Sequence, residues 1–349
     1  MIFYTGSYTH ESSPAPHPKG EGIGCFRLDP STGNIKLIHY TSHRNSGYLA
    51  ISGDHKCLYA VEEMHPNFNP KVFTYKIKDG GKLGLLNTQE LEGGHACHLA
   101  IANEKLVVAN YMTGNALSFP VLKDGTLGST YQVIQHTGTG PNKERQKGPH
   151  VHMVYPFSND RLFIMDLGID TAKAYRLNSK TENWEATPEW DISVEPGVGA
   201  RHMTMDATGN LVFILSELSG EIFVFENQGT GFVRLQKISF VPEGYKRPTA
   251  GAAVRMHPVR RFLFASCRES NTIAVFRIHE KSKMLSFIAH HSSEGRTPRD
   301  FNIDPTGHWL IVANQDSDSL VVFKIDQQWG TLKKCSEMQV GTPVNISWL

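Results

Sequence analysis

Apolar residues along the chain fall into short runs of about four to eight, separated by polar turns rich in Gly, Asn and Asp. The stretch from Gly199 to Phe225, GARHMTMDATGNLVFILSELSGEIFVF, shows the unit most clearly. It predicts three short antiparallel strands joined by tight turns. Antiparallel neighbours bring the start of one strand beside the end of the next, so Arg201 and Glu217 are expected at the same end of one sheet.

The unit recurs. Its second strand appears as FYTGS, LYAVE, LVVAN, LFIMD, FILSE, FASCR and LIVAN, with equivalent positions at Gly6, Glu62, Asn110, Asp166, Ser216, Cys267 and Asn314. The spacings of 47 to 56 residues match a four-stranded propeller blade. Inner-strand candidates YLAIS, CHLAI, HVHMV, RHMTM, AVRMH and RDFNI precede six of these runs, and a seventh, PVNISW, lies at the C-terminus. A turn and a short outer strand follow each time, in STGNIKLI, DGGKLGLL, DGTLGST, KTENWEA, GTGFVRL, KSKMLSFI and WGTLKKC. The expected fold is all-β, one seven-bladed β-propeller domain over residues 1–349, closed by pairing of the C-terminal strand with the N-terminal one. The GH and WD dipeptides of WD-type scaffolds are missing.

Composition narrows the function classes. Of 349 residues, 40% are hydrophobic and 20% charged, and 35 basic against 34 acidic residues leave a formal charge of +1. No global field favours nucleic acid or a membrane surface. The N-terminus reads as a strand and not as a secretory leader, and no run approaches the roughly 18 apolar residues of a membrane helix. The five cysteines are scattered without a CxxC pair, so a reducing, cytoplasmic setting with mostly buried thiols is expected. A monomer or weak homo-oligomer fits this composition.

Polar residues concentrate where inner strands start and second strands end, positions a propeller gathers around one channel mouth. The starts carry His98, His150, His152, Arg201, His202 and Arg299. The ends carry Glu62, Glu63, Asn110, Asp166, Glu217, Arg268, Asn314 and Gln315. Long connections at Tyr8–Gly22, Glu63–Lys71 and His136–Gly148 belong to the same rim and are candidate pocket walls. Arg201, Arg268 and Arg299 repel one another and need an anion, supplied by Glu217, Asp166 or a ligand. A small-molecule site for a carboxylate or phosphate follows. His150 and His152 are alternate residues of a strand and are expected on one side. No third ligand is fixed by spacing, so a hydrogen-bonding or titrating role is expected in place of a metal, and no cofactor. In the basic loop PNKERQKG, Arg145 or Lys147 can reach an anion, whereas His43, His290 and His291 read as surface residues. No GxSxG or Walker motif is present.

The segments GPHVH…MDLGID, GARHM…LSELSG, SCRESNTIAVF and TPRDFNIDPTGHWLIVANQDS resemble the lactonase family of seven-bladed propellers. That family includes propeller-type 6-phosphogluconolactonases and carboxy-cis,cis-muconate cyclases. The resemblance extends over nearly the whole chain and implies metal-free opening or closing of a lactone ring, with a small anionic lactone or carboxylate as the substrate. It implies His152, Arg201, Glu217 and Arg268 as catalytic residues, with Arg299 in the same pattern. His98, His150, Asn110, Asp166 and Gln315 are the further substrate-binding candidates. The stretch between His152 and Asp166 is one residue shorter than the family's usual one, which leaves His150 as an alternative to His152, and Ala200 replaces the commoner Pro. The expected activity is hydrolysis of 6-phosphogluconolactone, with a muconate-type cyclase and a non-catalytic binding propeller as alternatives.

Overall fold

The structure is a computed structural model and describes residues 1–129, 132–245 and 248–349. Seven antiparallel sheets form a ring, and among the described residues helical structure is confined to single 3-10 turns. Six sheets have four strands. In the seventh, the two-residue strand Ile192–Ser193 adds to Thr171–Leu177. Second strands such as Leu211–Ser216 and Trp309–Asn314 are buried along their whole length, because a neighbouring sheet packs on each face. That two-sided burial makes them continuous apolar runs and explains the clarity of the repeat in sequence. Between adjacent sheets lie separate apolar cores; in one, Phe213, Leu263 and Phe276 are fully buried.

The inner strands are Ser46–Ile51, Ala96–Ala102, Val151–Ser158, Ala200–Met205, Gly251–Met256, Pro298–Ile303 and Pro343–Trp348. Each touches the next, and the last returns to the first. Pro343–Trp348 also pairs with Ile2–Ser7, in register Phe3↔Trp348 and Gly6↔Asn345, so the ring closes as expected. One outer strand departs from expectation: it forms at Gln132–Gln135 and not over DGTLGST. There Asp124 Oδ1 closes a turn by accepting from the Thr126 amide and hydroxyl, and Thr130 lies outside the described residues.

Every inner strand carries a register shift near its start. Across from consecutive Glu62 and Val61 stand Ser46 and Tyr48, leaving Gly47 as the extra residue. The same count leaves Cys97, His152, Arg201, Arg299 and Val344 extra in their strands, and the shift in Gly251–Met256 falls at Ala252–Ala253. A β-bulge of this kind turns a side chain off the regular alternation and bends the strand. In the core, Asp300 ties three inner strands together. It pairs with Arg255 at 3.0 Å and accepts from Asn345 Nδ2 at 2.9 Å and the Ile346 amide at 3.3 Å. Replacing Asp300 by Ala leaves Arg255 without its carboxylate in a mostly buried position. We expect about 3–5 kcal/mol of destabilisation in urea unfolding; a loss under about 1 kcal/mol contradicts this role.

Candidate active site

The bulges aim the polar inner-strand residues at one cavity. Its volume is about 300 Å³, and four of the extra residues, Cys97, His152, Arg201 and Arg299, line it. Glu63, Tyr111, Glu217 and Arg268 each enter from the residue just beyond a second strand, and Arg145 from the loop before the third inner strand. Pro14 and His95 complete the wall.

Glu217 organises one end of the cavity. Its Oε1 accepts from Arg145 Nη2 at 2.6 Å. Its Oε2 pairs with Arg268 Nη2 at 3.0 Å and with Arg201 Nη1. Arg201 is fixed further by Nε donation to the Ala252 carbonyl at 3.0 Å. Glu63 organises the other end: it accepts from the Tyr8 hydroxyl at 2.6 Å and pairs with Arg299 at 3.1 Å, whose guanidinium lies 5.3 Å from the Tyr8 ring centre. Four guanidiniums against two carboxylates leave a formal surplus of two positive charges, and both belong to the Glu217 end.

Burial and this field together set the protonation states. Burial alone would raise the Glu217 pKa, but Arg268, Arg201 and Arg145 together hold it well below the usual carboxylate range. Burial pushes His152 well below 6.5, and Arg201 adds to the shift. Arg268 is pushed down to about 10, first by burial and then by Arg201, Arg299 and Arg145, against the pull of Glu217. Its remaining hydrogen bonds, to the Ala250 and Gly251 carbonyls, are long at 3.4 and 3.5 Å. Arg268 is thus the guanidinium most in want of an anion. Burial also pushes the Cys97 thiol up; its Sγ stands 3.7 Å from His152 Nδ1, and the two form a neutral contact, not a thiolate–imidazolium pair.

The structure brings His152, Arg201, Glu217, Arg268 and Arg299 together with Glu63 and the loop residue Arg145, and places His98, His150, Asn110, Asp166 and Gln315 outside the wall. His98 lies beside the cavity, 4.1 Å from the Tyr48 ring and 5.8 Å from His202, which itself contacts His152 at 5.3 Å. His150 stacks on Tyr111 at 4.5 Å and is not in the wall. Asp166 is fully buried; it holds the His150 and Gly168 amides and pairs with His136, anchoring the loop. Asn110 bonds to Asn115. Gln315 lines a second cavity, about 510 Å³, that adjoins the first at Arg268. His43 is not a surface residue: it is buried against Phe73, with ring centres 4.6 Å apart, while His290 and His291 are half-buried. Among the described residues, no group of three or more His, Cys, Asp or Glu could hold a metal ion, and no helix is long and apolar enough to cross a membrane.

Sequence reasoning did not assign Tyr8, His95, Cys97 or Tyr111 to the site, and it left Glu63 among the strand-end carboxylates. Glu62 next door instead makes a two-pronged pair with Arg44. The signal that separates the two carboxylates is Gly47. A Cβ there would stand 2.3 Å from Glu63 Oε2, so only glycine leaves room for that carboxylate. Gly47→Ala is expected to displace Glu63 from Arg299 and Tyr8, lowering kcat/KM on the enzyme's lactone by about 10-fold or more and destabilising the fold by about 3 kcal/mol, as for other broken buried ion pairs. Unchanged kinetics would detach Glu63 from the site.

Comparison with known proteins agrees with this architecture. The family model "Lactonase, 7-bladed beta-propeller" matches residues 2–348. A 6-phosphogluconolactonase of Bacillus subtilis is 32% identical, across all of this chain and 98% of the relative. One from Formosa agariphila is 30% identical, across 95% and 94%. The periplasmic gluconolactonase PpgL of Pseudomonas aeruginosa superposes with a TM-score of 0.91 at 28% identity, covering 99% of this chain and 98% of that one. The chain belongs to the lactonase family of seven-bladed β-propellers and is an enzyme of the lactonase type.

Proposed function

We propose that the protein hydrolyses a phosphorylated sugar lactone, 6-phosphogluconolactone to 6-phosphogluconate, using its own side chains for acid–base and electrostatic catalysis. The observation that carries this reading is the surplus of two positive charges gathered around Glu217 beside a buried imidazole. A phosphate monoester is mostly dianionic near pH 7. A muconate-type dicarboxylate also carries two charges, but on separate groups. The concentration of both surplus charges at one end, with the Glu63 end neutral, favours a single dianionic group.

In the proposed reaction a water attacks the lactone carbonyl carbon while His152 takes one of its protons. The carbonyl becomes an oxyanion facing Arg201. When the intermediate collapses, the bond from that carbon to the ring oxygen breaks, and His152 returns the proton to the ring oxygen. The new carboxylic acid then ionises and releases the second proton of the water. Arg201 is held by Glu217 and the Ala252 carbonyl before substrate arrives, so it need not reorganise to meet the oxyanion. Arg268 takes a share of the phosphate.

The direct test is hydrolysis of 6-phosphogluconolactone above its spontaneous rate. Arg268→Ala is expected to lower kcat/KM about 100-fold, on the scale of a lost charge-assisted hydrogen bond; equal rates in variant and wild type refute the reading. The protonation argument gives a second outcome. With its pKa depressed, free His152 stays neutral as pH falls through 6.5, so its imidazole NMR signals should not titrate between pH 8 and 6. Bound 6-phosphogluconate adds negative charge and is expected to move the midpoint upward. A midpoint near 6.5 in the free protein contradicts this electrostatic picture.

A further inference from the structure

The cavity's four guanidiniums differ in how they are held. Arg201 and Arg299 rise from inner strands and are almost fully buried, and Arg268 follows a second strand. Arg145 alone among them comes from a connection, and its side chain keeps 41% of its surface exposed, at the mouth. Its donors are only partly used. Nη2 serves both Glu217 Oε1 at 2.6 Å and the Tyr111 hydroxyl at 3.2 Å, while no partner is seen for Nε or Nη1 among the described residues.

The loop that carries Arg145 is built, not loose. Asn142 Oδ1 accepts the backbone amides of Glu144 and Arg145, both at 3.1 Å. Gln146, fully buried, donates to the Leu167 carbonyl at 2.9 Å and to Asp170 at 2.8 Å. The peptide on either side of Arg145 is therefore pinned to the protein, and the guanidinium is presented to the cavity at little further ordering cost. Lys147, two residues on, is exposed and outside the wall.

We propose that Arg145 is the specificity-determining residue that makes this site prefer a phosphorylated lactone over its unphosphorylated counterpart. A planar fork with free donors, half in solvent and joined through Glu217 to Arg268, suits the three oxygens of a phosphate at the mouth. The buried Arg201 is left for the carbonyl beside His152. This inference rests on the lactonase reading above and adds to it which side chain recognises the dianion.

The experiment compares 6-phosphogluconolactone with glucono-1,5-lactone in wild type, Arg145→Gln, Arg145→Lys and Lys147→Gln. Arg145→Gln is expected to raise KM for the phosphorylated lactone about 10- to 100-fold. The kcat/KM preference for phosphate should collapse by at least about 10-fold. Arg145→Lys should keep part of the preference, since charge remains but the fork is lost, and Lys147→Gln should keep the wild-type ratio. An equal fall on both lactones, or an unaltered ratio, overturns the proposal. Calorimetric binding of 6-phosphogluconate against gluconate separates it from the catalytic reading. If wild type hydrolyses neither lactone but Arg145→Gln loses the preference for 6-phosphogluconate, the reaction falls and the assignment of Arg145 stands. If wild type binds both acids equally, the assignment falls.

Discussion

Glu217 is the residue on which the cavity depends. Two like charges about 4 Å apart repel by roughly 4 kcal/mol at the effective dielectric of a protein near its surface, and three guanidiniums share this one neighbourhood. A single carboxylate touching all three turns that repulsion into a connected network. Its own position is fixed by two sheets at once. The Glu217 amide donates to the Gly199 carbonyl at 2.7 Å, and its carbonyl accepts from the Gly251 amide at 3.1 Å and the Thr249 hydroxyl at 3.1 Å. The counter-charge is thus part of the seam between neighbouring blades, and the cavity cannot loosen without the seam loosening too.

The propeller supplies what a charged cavity needs. Closure through Pro343–Trp348 removes the freedom of the ring to open under internal repulsion. The bulge repeated in every inner strand then determines what faces the cavity. Where the extra residue is Cys97, His152, Arg201 or Arg299, chemistry is delivered; where it is Gly47, the absence of a side chain makes space for Glu63. Around the axis, His98, His202, Tyr48 and Arg255 fill the interior, and Asp300 matches the charge of Arg255. One local backbone device, copied seven times and filled differently each time, converts a symmetric scaffold into an asymmetric site.

The repeat was legible in sequence because second strands are buried on both faces and so read as uninterrupted apolar runs. Arg201 and Glu217 could be paired from antiparallel geometry alone, since both lie in one sheet. The bulges were not legible. They break the two-residue alternation at the very positions that matter, so His150 and His152, expected on one side, part company: His152 lines the cavity and His150 stacks on Tyr111. Asp166 and Asn110 end their second strands one residue short of the position that delivers Glu63, Tyr111, Glu217 and Arg268, and their side chains are taken up by the His150 amide and by Asn115. Tyr8 lies 55 residues from Glu63 and Arg299 lies 236 from it, distances over which no local pattern speaks. Of the turn and short outer strand read in DGTLGST, the turn forms at Asp124–Thr126, while the strand pairs further on, over Gln132–Gln135.

The depressed pKa values of the interior imidazoles give the surplus charge a second meaning. His98 is pushed down to about 3, chiefly by burial and then by Arg255 and Arg201. His202 and His152 are also well below their ordinary value, so none of the three adds to the positive charge of the cavity at neutral pH. For His152 burial is the larger cause, and the field that attracts an anion weakens the empty enzyme's imidazole further as a base. A bound dianion offsets that field, and a developing oxyanion offsets it further, so the affinity of His152 for a proton rises as the proposed reaction needs it. A neutral ligand filling the same space would leave the guanidinium field uncompensated and the imidazole weakly basic. On this argument the charge of the substrate contributes to the chemical step as well as to binding, and both effects pass through the contacts of one carboxylate with three guanidiniums.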